Sequence, residues 1–384
     1  MRPPVIAQGL FSYQIGGSER VGADIAIGLQ KRGYELVCFA CYDSSGPIRD
    51  ELIDAGIRCV DLNYEKYHGP LRRLTYAADV YGFLRRNRVD SLIVHHATAL
   101  IIGGIAARLA RVRRVMMVEH AIHQLRERPD YRRSAIKYCK LADVVVAIDS
   151  GIAEYFRHEM RVPTARVLYI PNGVTATTPD PTRRAEVRQM LGLAPGEFVF
   201  LFVGRLQPVK DVPTLLQAFG QLVAQRPNGM RLLLAGDGPE RPALESLARE
   251  LAIDGRVSFL GARRDVRDLL AAADAFVLTS VTEGQPMAII EAMASHVPCV
   301  ATAVGGIPAL LADGAGLLAP PANPAQFAAQ MAALVDSDKL RNALTDAAAS
   351  RVARDHSLDA VLDAYLDALE LPRKSGAPVN GTDR

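Results

Sequence analysis

Short apolar runs alternate with amphipathic stretches along most of the chain. Residues 5–7, 34–40, 58–62, 90–96, 115–118, 144–148 and 167–170 read as strands. Helical spacing fills the gaps, from Ser18 to Leu29 and over 50–55, 71–88, 99–109 and 132–141. Strands alternating with helices predict a parallel, doubly wound sheet. A polar Thr/Pro segment, 175–181, then interrupts the pattern. A second series follows, with strands expected at 198–203, 231–235, 257–260, 275–278 and 299–302. The expected organisation is therefore two Rossmann-like domains, 1–175 and 176–355. Segment 356–372 reads as an amphipathic helix that returns to the first domain, with Ser357 as its N-cap. The stretch 373–384 is rich in Gly, Pro, Ser and Asn and is expected to be a disordered tail.

Glycines and charges collect where these strands end. In open parallel sheets ligands bind beyond the carboxyl ends of the strands, so the two domains are expected to face one central cleft. Gly16-Gly17 follows the first strand, with Ser18 read as a helix N-cap. The GxGxxG spacing is missing, so this loop alone fits a plain tight turn equally well. Arg205 and Lys210 follow the strand at 198–203. Two cations at a strand end suit a diphosphate, Arg by planar bidentate contact and Lys as a point charge. The bland alternative is a pair of solvated loop charges.

The stretch Glu283-Gly284-Gln285-Pro286-Met287-Ala288-Ile289-Ile290-Glu291 carries the densest chemistry. Pro286 fits the first turn of a helix. Glu283 then lies in the loop leaving a strand, and Glu291 in the second helical turn. The amides of Met287, Ala288 and Ile289 are expected to be unpaired donors that suit a phosphate. The two carboxylates suit hydroxyls of a sugar and a ribose. An acid/base pair for glycoside hydrolysis and two merely solvated glutamates are the competing readings.

His120 follows a strand of the first domain, where a neutral imidazole could donate to a sugar hydroxyl. His95 and His96 are adjacent on an expected strand and should point opposite ways, so only one of them is expected to face the cleft. Asp336-Ser337-Asp338 reads as a surface turn, and no cluster has metal-ligand spacing. No metal or other cofactor is expected.

Composition narrows the class. The chain has 384 residues, 49% hydrophobic and 23% charged, as in a soluble globular protein. No uninterrupted apolar run approaches the roughly 20 residues of a membrane span. Five cysteines and an N-terminus that leads straight into a strand favour a reducing cytoplasm without an export signal. Net charge is +3 but uneven, with ten basic and three acidic residues in 108–140. That stretch is either a solvated helix face or a contact for an anionic membrane or acceptor. Sparse aromatics and near-neutrality argue against nucleic acid.

Taken in order, Gly16-Gly17-Ser18-Glu19, Pro171-Asn172-Gly173-Val174, Gly204-Arg205-Leu206 with Lys210, Gly236-Asp237-Gly238-Pro239, the Glu283/Glu291 pair and Gly305-Gly306-Ile307-Pro308 resemble the GT-B-fold retaining glycosyltransferases of family 4, also called glycosyl transferases group 1. The resemblance covers most of the chain. It implies a metal-independent, hexosyltransferase-type enzyme that takes a nucleotide-sugar donor, with UDP as the expected base carrier. It also implies roles. Gly16 and Gly17 would approach the diphosphate, and Arg205 and Lys210 would neutralise it. Glu291 would bind the ribose, while Glu283 and the amides of Met287 and Ala288 would hold the sugar and phosphate. The base would lie near Arg263, and His120 would serve the donor sugar. The basic stretch 108–140 points to a lipid-linked or other cell-surface glycan as the acceptor, as in polysaccharide biosynthesis. The implied location is the cytoplasm, peripheral to the inner face of the cell membrane. A nucleotide-sugar epimerase and a non-catalytic nucleotide-sugar-binding protein remain open. Three positions depart from the family pattern: Asp211 and His296 where Gly is usual, and Ala309 where an acidic residue is common.

Overall fold

A computed structural model describes residues 2–226 and 229–373. The chain divides into two compact units, residues 1–173 with 358–384, and residues 174–357. Each is built on one parallel sheet.

The first sheet has seven strands: β1 (Val5–Leu10), β2 (Glu35–Ala40), β3 (Arg58–Asp61), β4 (Ser91–His95), β5 (Arg114–Glu119), β6 (Val144–Ala147) and β7 (Val167–Tyr169). Their order is β3-β2-β1-β4-β5-β6-β7. Every residue of β1, β4 and β6 is buried, because helices cover both faces of a doubly wound sheet. Strand order reverses between β1 and β4, and that reversal opens a crevice at their carboxyl ends.

The second sheet has six strands: β8 (Phe198–Val203), β9 (Met230–Ala235), β10 (Val257–Gly261), β11 (Ala275–Leu278), β12 (Cys299–Thr302) and β13 (Leu317–Ala319). Their order is β10-β9-β8-β11-β12-β13, with the reversal between β8 and β11. The edge strand β13 has no counterpart among the expected strands. Its three residues lie between Gly316 and Pro320-Pro321, a setting that reads as loop.

The helix Leu358–Ala368 belongs to the first unit. It buries Val361, Leu362, Tyr365 and Leu366. It lies so close to the helix Gly17–Lys31 that a Cβ on Gly28 would come within 2.6 Å of Leu362 Cδ1. Arg32 ties the contact with ion pairs to Asp359 and Asp363. In the second unit, the first and last residues are bridged side by side, Val174 N donating to His356 O at 2.9 Å. The tail expected to be disordered lies, from 374 on, outside the described residues.

Two expectations about local structure change. Ser18 is not the N-cap: Gly16 occupies that place with extended backbone, and Ser18 Oγ donates to Glu19 Oε2 at 2.9 Å. The strand expected over 90–96 ends at His95, and His96 opens the helix His96–Leu109 with φ +69°. Strand alternation therefore does not apply to the two histidines.

Candidate functional site at the two strand-order reversals

In the second unit, the loops leaving β8 and β11 meet through side chains. Lys210 Nζ pairs with Glu283 Oε1. Ser280 Oγ donates to the same oxygen at 2.7 Å. Beneath them, Thr279 Oγ1 donates to the Asp211 carbonyl at 2.9 Å, and Thr302 Oγ1 bridges the Ser280 backbone, accepting from its N–H at 2.9 Å and donating to its carbonyl at 2.7 Å. Thr279, Ser280 and Thr302 are fully buried, so each needs these bonds. The result is a fixed ammonium–carboxylate pair at the reversal of strand order.

Backbone packing sets the loop that holds Glu283. A Cβ on Gly305 would lie 1.7 Å from the Glu283 carbonyl oxygen, and one on Gly306 would lie 2.4 Å from that of Gly284. Gly305 is also left-handed, at φ +54°. These two glycines admit the neighbouring backbone. Gly236 and Gly238 do the same against the carbonyls of Gly204 and Leu206, at 1.8 and 2.2 Å.

The helix after this loop is Met287–Ala294, and Pro286 stands at its N-cap position, one place earlier than expected. The Pro286 carbonyl takes the Ile289 amide at 3.1 Å. Of the three amides expected to be open, those of Met287 and Ala288 keep no acceptor among the described residues. Glu291 is half-buried in the second turn of this helix. Arg205 is exposed and has no ion pair among the described residues. Arg263 is already engaged: its Nε donates to Asp265 Oδ1 at 2.8 Å, and this partner holds the Asp265 carboxyl below its usual range.

Asp211 and His296 explain their own oddity. Asp211 has φ +45° and His296 has φ +58°. Both occupy left-handed positions, which glycine fills without strain. His296 follows the helix C-cap Ser295, and Val297 N closes the helix end on Ala292 O at 2.9 Å. No structural feature accounts for Ala309.

In the first unit the reversal is built differently. Gln8 of β1, His95 at the end of β4 and His120 just after β5 form one buried line. Gln8 Nε2 donates to the Gly22 carbonyl at 2.7 Å and lies 2.9 Å from His95 Nε2. His95 Nδ1 lies 2.8 Å from His120 Nε2. Burial pushes His95 down to about 3 and His120 well below the usual imidazole range, and the neighbouring His96 adds to both shifts. Both rings are neutral at physiological pH. His96 goes the other way: burial pulls it down, but the hydrogen bond and charge of Glu119 outweigh that, helped by Glu19. Its Nδ1 is 2.9 Å from Glu119 Oε1. The rings of His95 and His96 both lie about 5 Å from that of His120, at 5.1 and 5.2 Å. Both histidines thus pack against the His120 ring.

Gly17 has open space where a Cβ would be, whereas one on Gly16 would strike the Glu19 carboxylate. Cys38, Cys41, Cys139 and Cys299 are buried packing residues and Cys59 is half-buried; burial pushes the Cys41 thiol up to about 12. Asp336-Ser337-Asp338 is a capping turn in which Ser337 Oγ accepts from Leu340 N. Among the described residues no cluster of His, Cys, Asp and Glu could hold a metal.

Sequence reasoning missed Gln8, Glu119, Ser280 and Thr302. A glutamine inside an apolar strand, and a carboxylate closing one, were the available signals, since buried polar groups require partners.

Comparison with known proteins fits this geometry. The profile of the family described as Glycosyltransferase Family 4 matches residues 15–177, and that of Glycosyl transferases group 1 matches residues 197–337. The N-acetyl-alpha-D-glucosaminyl L-malate synthase of Bacillus anthracis is 27% identical over 367 residues, covering 93% of this chain and 94% of that protein. The UDP-Gal:alpha-D-GlcNAc-diphosphoundecaprenol alpha-1,3-galactosyltransferase of Escherichia coli is 27% identical over 284 residues, 71% of each chain. The crystal structure of Anabaena HepE in complex with UDP-glucose superposes with a TM-score of 0.83 at 24% identity, covering 95% of this chain and 99% of that one. The fold is GT-B, and the protein is a glycosyltransferase. With the two profiles taking in most of its length, the chain belongs to family 4, the group 1 glycosyl transferases, a family of retaining hexosyltransferases.

Proposed function

We propose that this enzyme transfers a sugar from a UDP-sugar to an anionic acceptor, a lipid-linked or other cell-surface glycan, with retention at the anomeric carbon. The observation that carries the donor half is in the second unit: Lys210 paired with Glu283, exposed Arg205, and the open amides of Met287 and Ala288, all on the segments that leave β8 and β11. Cations and helix-start amides beside a carboxylate suit a diphosphate next to a sugar. In this reading Arg205 and Lys210 neutralise the leaving diphosphate, and Gly16 and Gly17 let backbone approach it. Glu291 takes the ribose hydroxyls, and Glu283 takes sugar hydroxyls. Arg263 lies near the base, and His120 donates to the donor sugar.

The bond from C1 to the diphosphate oxygen breaks as the acceptor oxygen bonds C1 on the same face. The acceptor proton passes to the departing phosphate oxygen. No separate general base is needed, which fits a Glu283 carboxylate already paired with Lys210.

UDP is favoured because the Escherichia coli relative is named for a UDP-sugar. An anionic acceptor is favoured because the malate and the diphospholipid named for the two relatives both carry negative charge. The basic stretch 108–140 supports a membrane contact less than its composition suggested. Arg108, Arg113, Arg114, Arg126, Arg132 and Arg133 all have acidic partners. What supports a membrane contact is apolar: Leu71 and Leu74 are 64% and 67% exposed, and Ile105 and Leu109 are 52% and 68% exposed, near two helices of the first unit that pack together. Among the described residues no helix is long and apolar enough to cross a membrane.

The deciding experiment is a thermal-shift panel of UDP-, GDP- and ADP-sugars, since a ligand that binds the folded state raises the midpoint by mass action. The best donor is then incubated with and without acceptor. Transfer with retained configuration is expected. Conversion of the donor without acceptor would replace this reading with an epimerase. Sedimentation with anionic and neutral vesicles tests the membrane contact, and equal binding to both would remove its electrostatic part.

A further inference from the structure

We propose that Gln8 and His95 are positioning residues that hold His120 as a neutral imidazole with its proton on Nδ1, through a directed chain that starts at the Gly22 carbonyl. The direction follows from one fixed acceptor. The Gly22 carbonyl can only accept, and the Gln8 side-chain nitrogen lies 2.7 Å from it, so the amide must present its NH2 there. The same NH2 lies 2.9 Å from His95 Nε2 and has a second hydrogen to give. His95 Nε2 is therefore the bare nitrogen, and His95 Nδ1 carries the proton. That N–H donates to His120 Nε2 at 2.8 Å. His120 Nε2 is then an acceptor, and its Nδ1, with no partner among the described residues, carries the proton. A tautomer that coordinates seldom show directly is set here by a backbone atom.

The surroundings support this direction. Gln8 is wholly buried and His95 is 1% exposed. A reversed amide would put two oxygens face to face; as it stands, Gln8 Oε1 is buried without a partner. Gly22 is where the helix meets β1: a Cβ there would lie 2.3 Å from Leu10 Cδ2 and 3.0 Å from Gln8 Nε2. Every titratable group facing His120 agrees. His95 is neutral by burial, while His96 opposes a second positive charge on His120. The Glu119 carboxylate is taken up by His96 Nδ1 and by the amides of Ala97 and His120. The inference rests on the reading of His120 as a donor to a sugar hydroxyl, and it adds how that donor is prepared.

The test is nitrogen NMR of the whole protein labelled in histidine, with His120→Gln to assign the signal. It needs no substrate. The expected result is His95 and His120 both as the Nδ1–H tautomer across pH 5.5–8, the minority form of free histidine. In Gln8→Glu the carboxylate accepts from His95, so both tautomers reverse, and kcat falls about 10- to 100-fold with KM for the donor little changed. His95→Asn keeps an N–H near the Nδ1 position and is expected to retain activity that His95→Leu loses. An Nε2–H form of His120 in the wild type overturns the proposal whether or not any variant folds. Equal activity of His95→Leu and His95→Asn overturns it as well. The expected tautomers without any sugar transfer would leave the chain of hydrogen bonds standing and remove only the functional reading it serves.

Discussion

The two sheets reverse their strand order in the same way but furnish the reversal with opposite chemistry. In the second sheet the crevice is ionic: Lys210 and Glu283 form a pair, fixed by Ser280 and by glycines that let backbone lie on backbone. In the first sheet it is uncharged, a buried line from Gln8 through His95 to His120, with the one ion pair, His96 and Glu119, set beside it. A shared topology places the loops but does not choose the chemistry. The residues at the strand ends give one unit a fixed ammonium–carboxylate pair and the other a buried line of neutral groups.

The largest effect is expected from Glu283→Gln. It removes the charge that fixes Lys210 and the carboxylate offered to the sugar, so turnover should fall about 100- to 1000-fold. Circular dichroism should be unchanged. Wild-type turnover would dissolve the ionic half of the comparison.

The glycines sharpen it next. Gly305→Ala forces a Cβ against the Glu283 carbonyl at a left-handed position. It should cost about 2–4 kcal/mol of stability. Gly17→Ala meets no atom within 4 Å. Its unfolding midpoint should stay near wild type while UDP affinity, read by calorimetry, falls about tenfold if backbone approaches the diphosphate there. Equal loss of stability in both would erase the distinction.

Acid should separate the units. His95 and His120 have folded pKa values depressed below about 6.5. Their contribution to stability is fully present above that value and is lost as pH falls towards the folded values. His96, raised, contributes in the opposite sense: its part is present below about 6.5 and is lost as pH rises through its folded pKa. Two groups outweigh one. Protection of the β1, β4 and β5 amides, corrected for the intrinsic pH dependence of exchange, should therefore fall between about pH 6.5 and 4 before that of β8 and β11. The reverse order would contradict the assignment of neutral rings.

The smallest effect has the opposite sign. His296→Gly relieves a left-handed non-glycine residue and should raise stability by about 1 kcal/mol, read as a rise of a few degrees in the unfolding midpoint. An unchanged midpoint would mean that the helix end is not strained.

These cases show what the sequence could and could not reveal. The strands of both sheets were legible because buried parallel strands are nearly continuous apolar runs, and β13 was not because its three residues lie between Gly316 and Pro320-Pro321, which read as loop. The Glu283 loop and Lys210 were legible because charge and glycine stand out at strand ends. Their contact was not, since it joins residues 73 positions apart. A glycine announces close approach without saying to what, and at Gly305 and Gly306 the answer is the neighbouring backbone. Likewise the sequence marked Asp211 and His296 as departures, but only the backbone angles show that both stand where left-handed geometry is required. The direction of the Gln8–His95–His120 chain depends on Gly22, a residue with no chemistry of its own.

The central claim is that the Lys210–Glu283 loop receives the nucleotide diphosphate. Calorimetric titration of UDP into wild-type protein and into Lys210→Ala tests it most directly. Binding by the wild type and at least tenfold weaker binding by the variant are expected, a difference of about 1.4 kcal/mol. Equal affinity for the two proteins would contradict it.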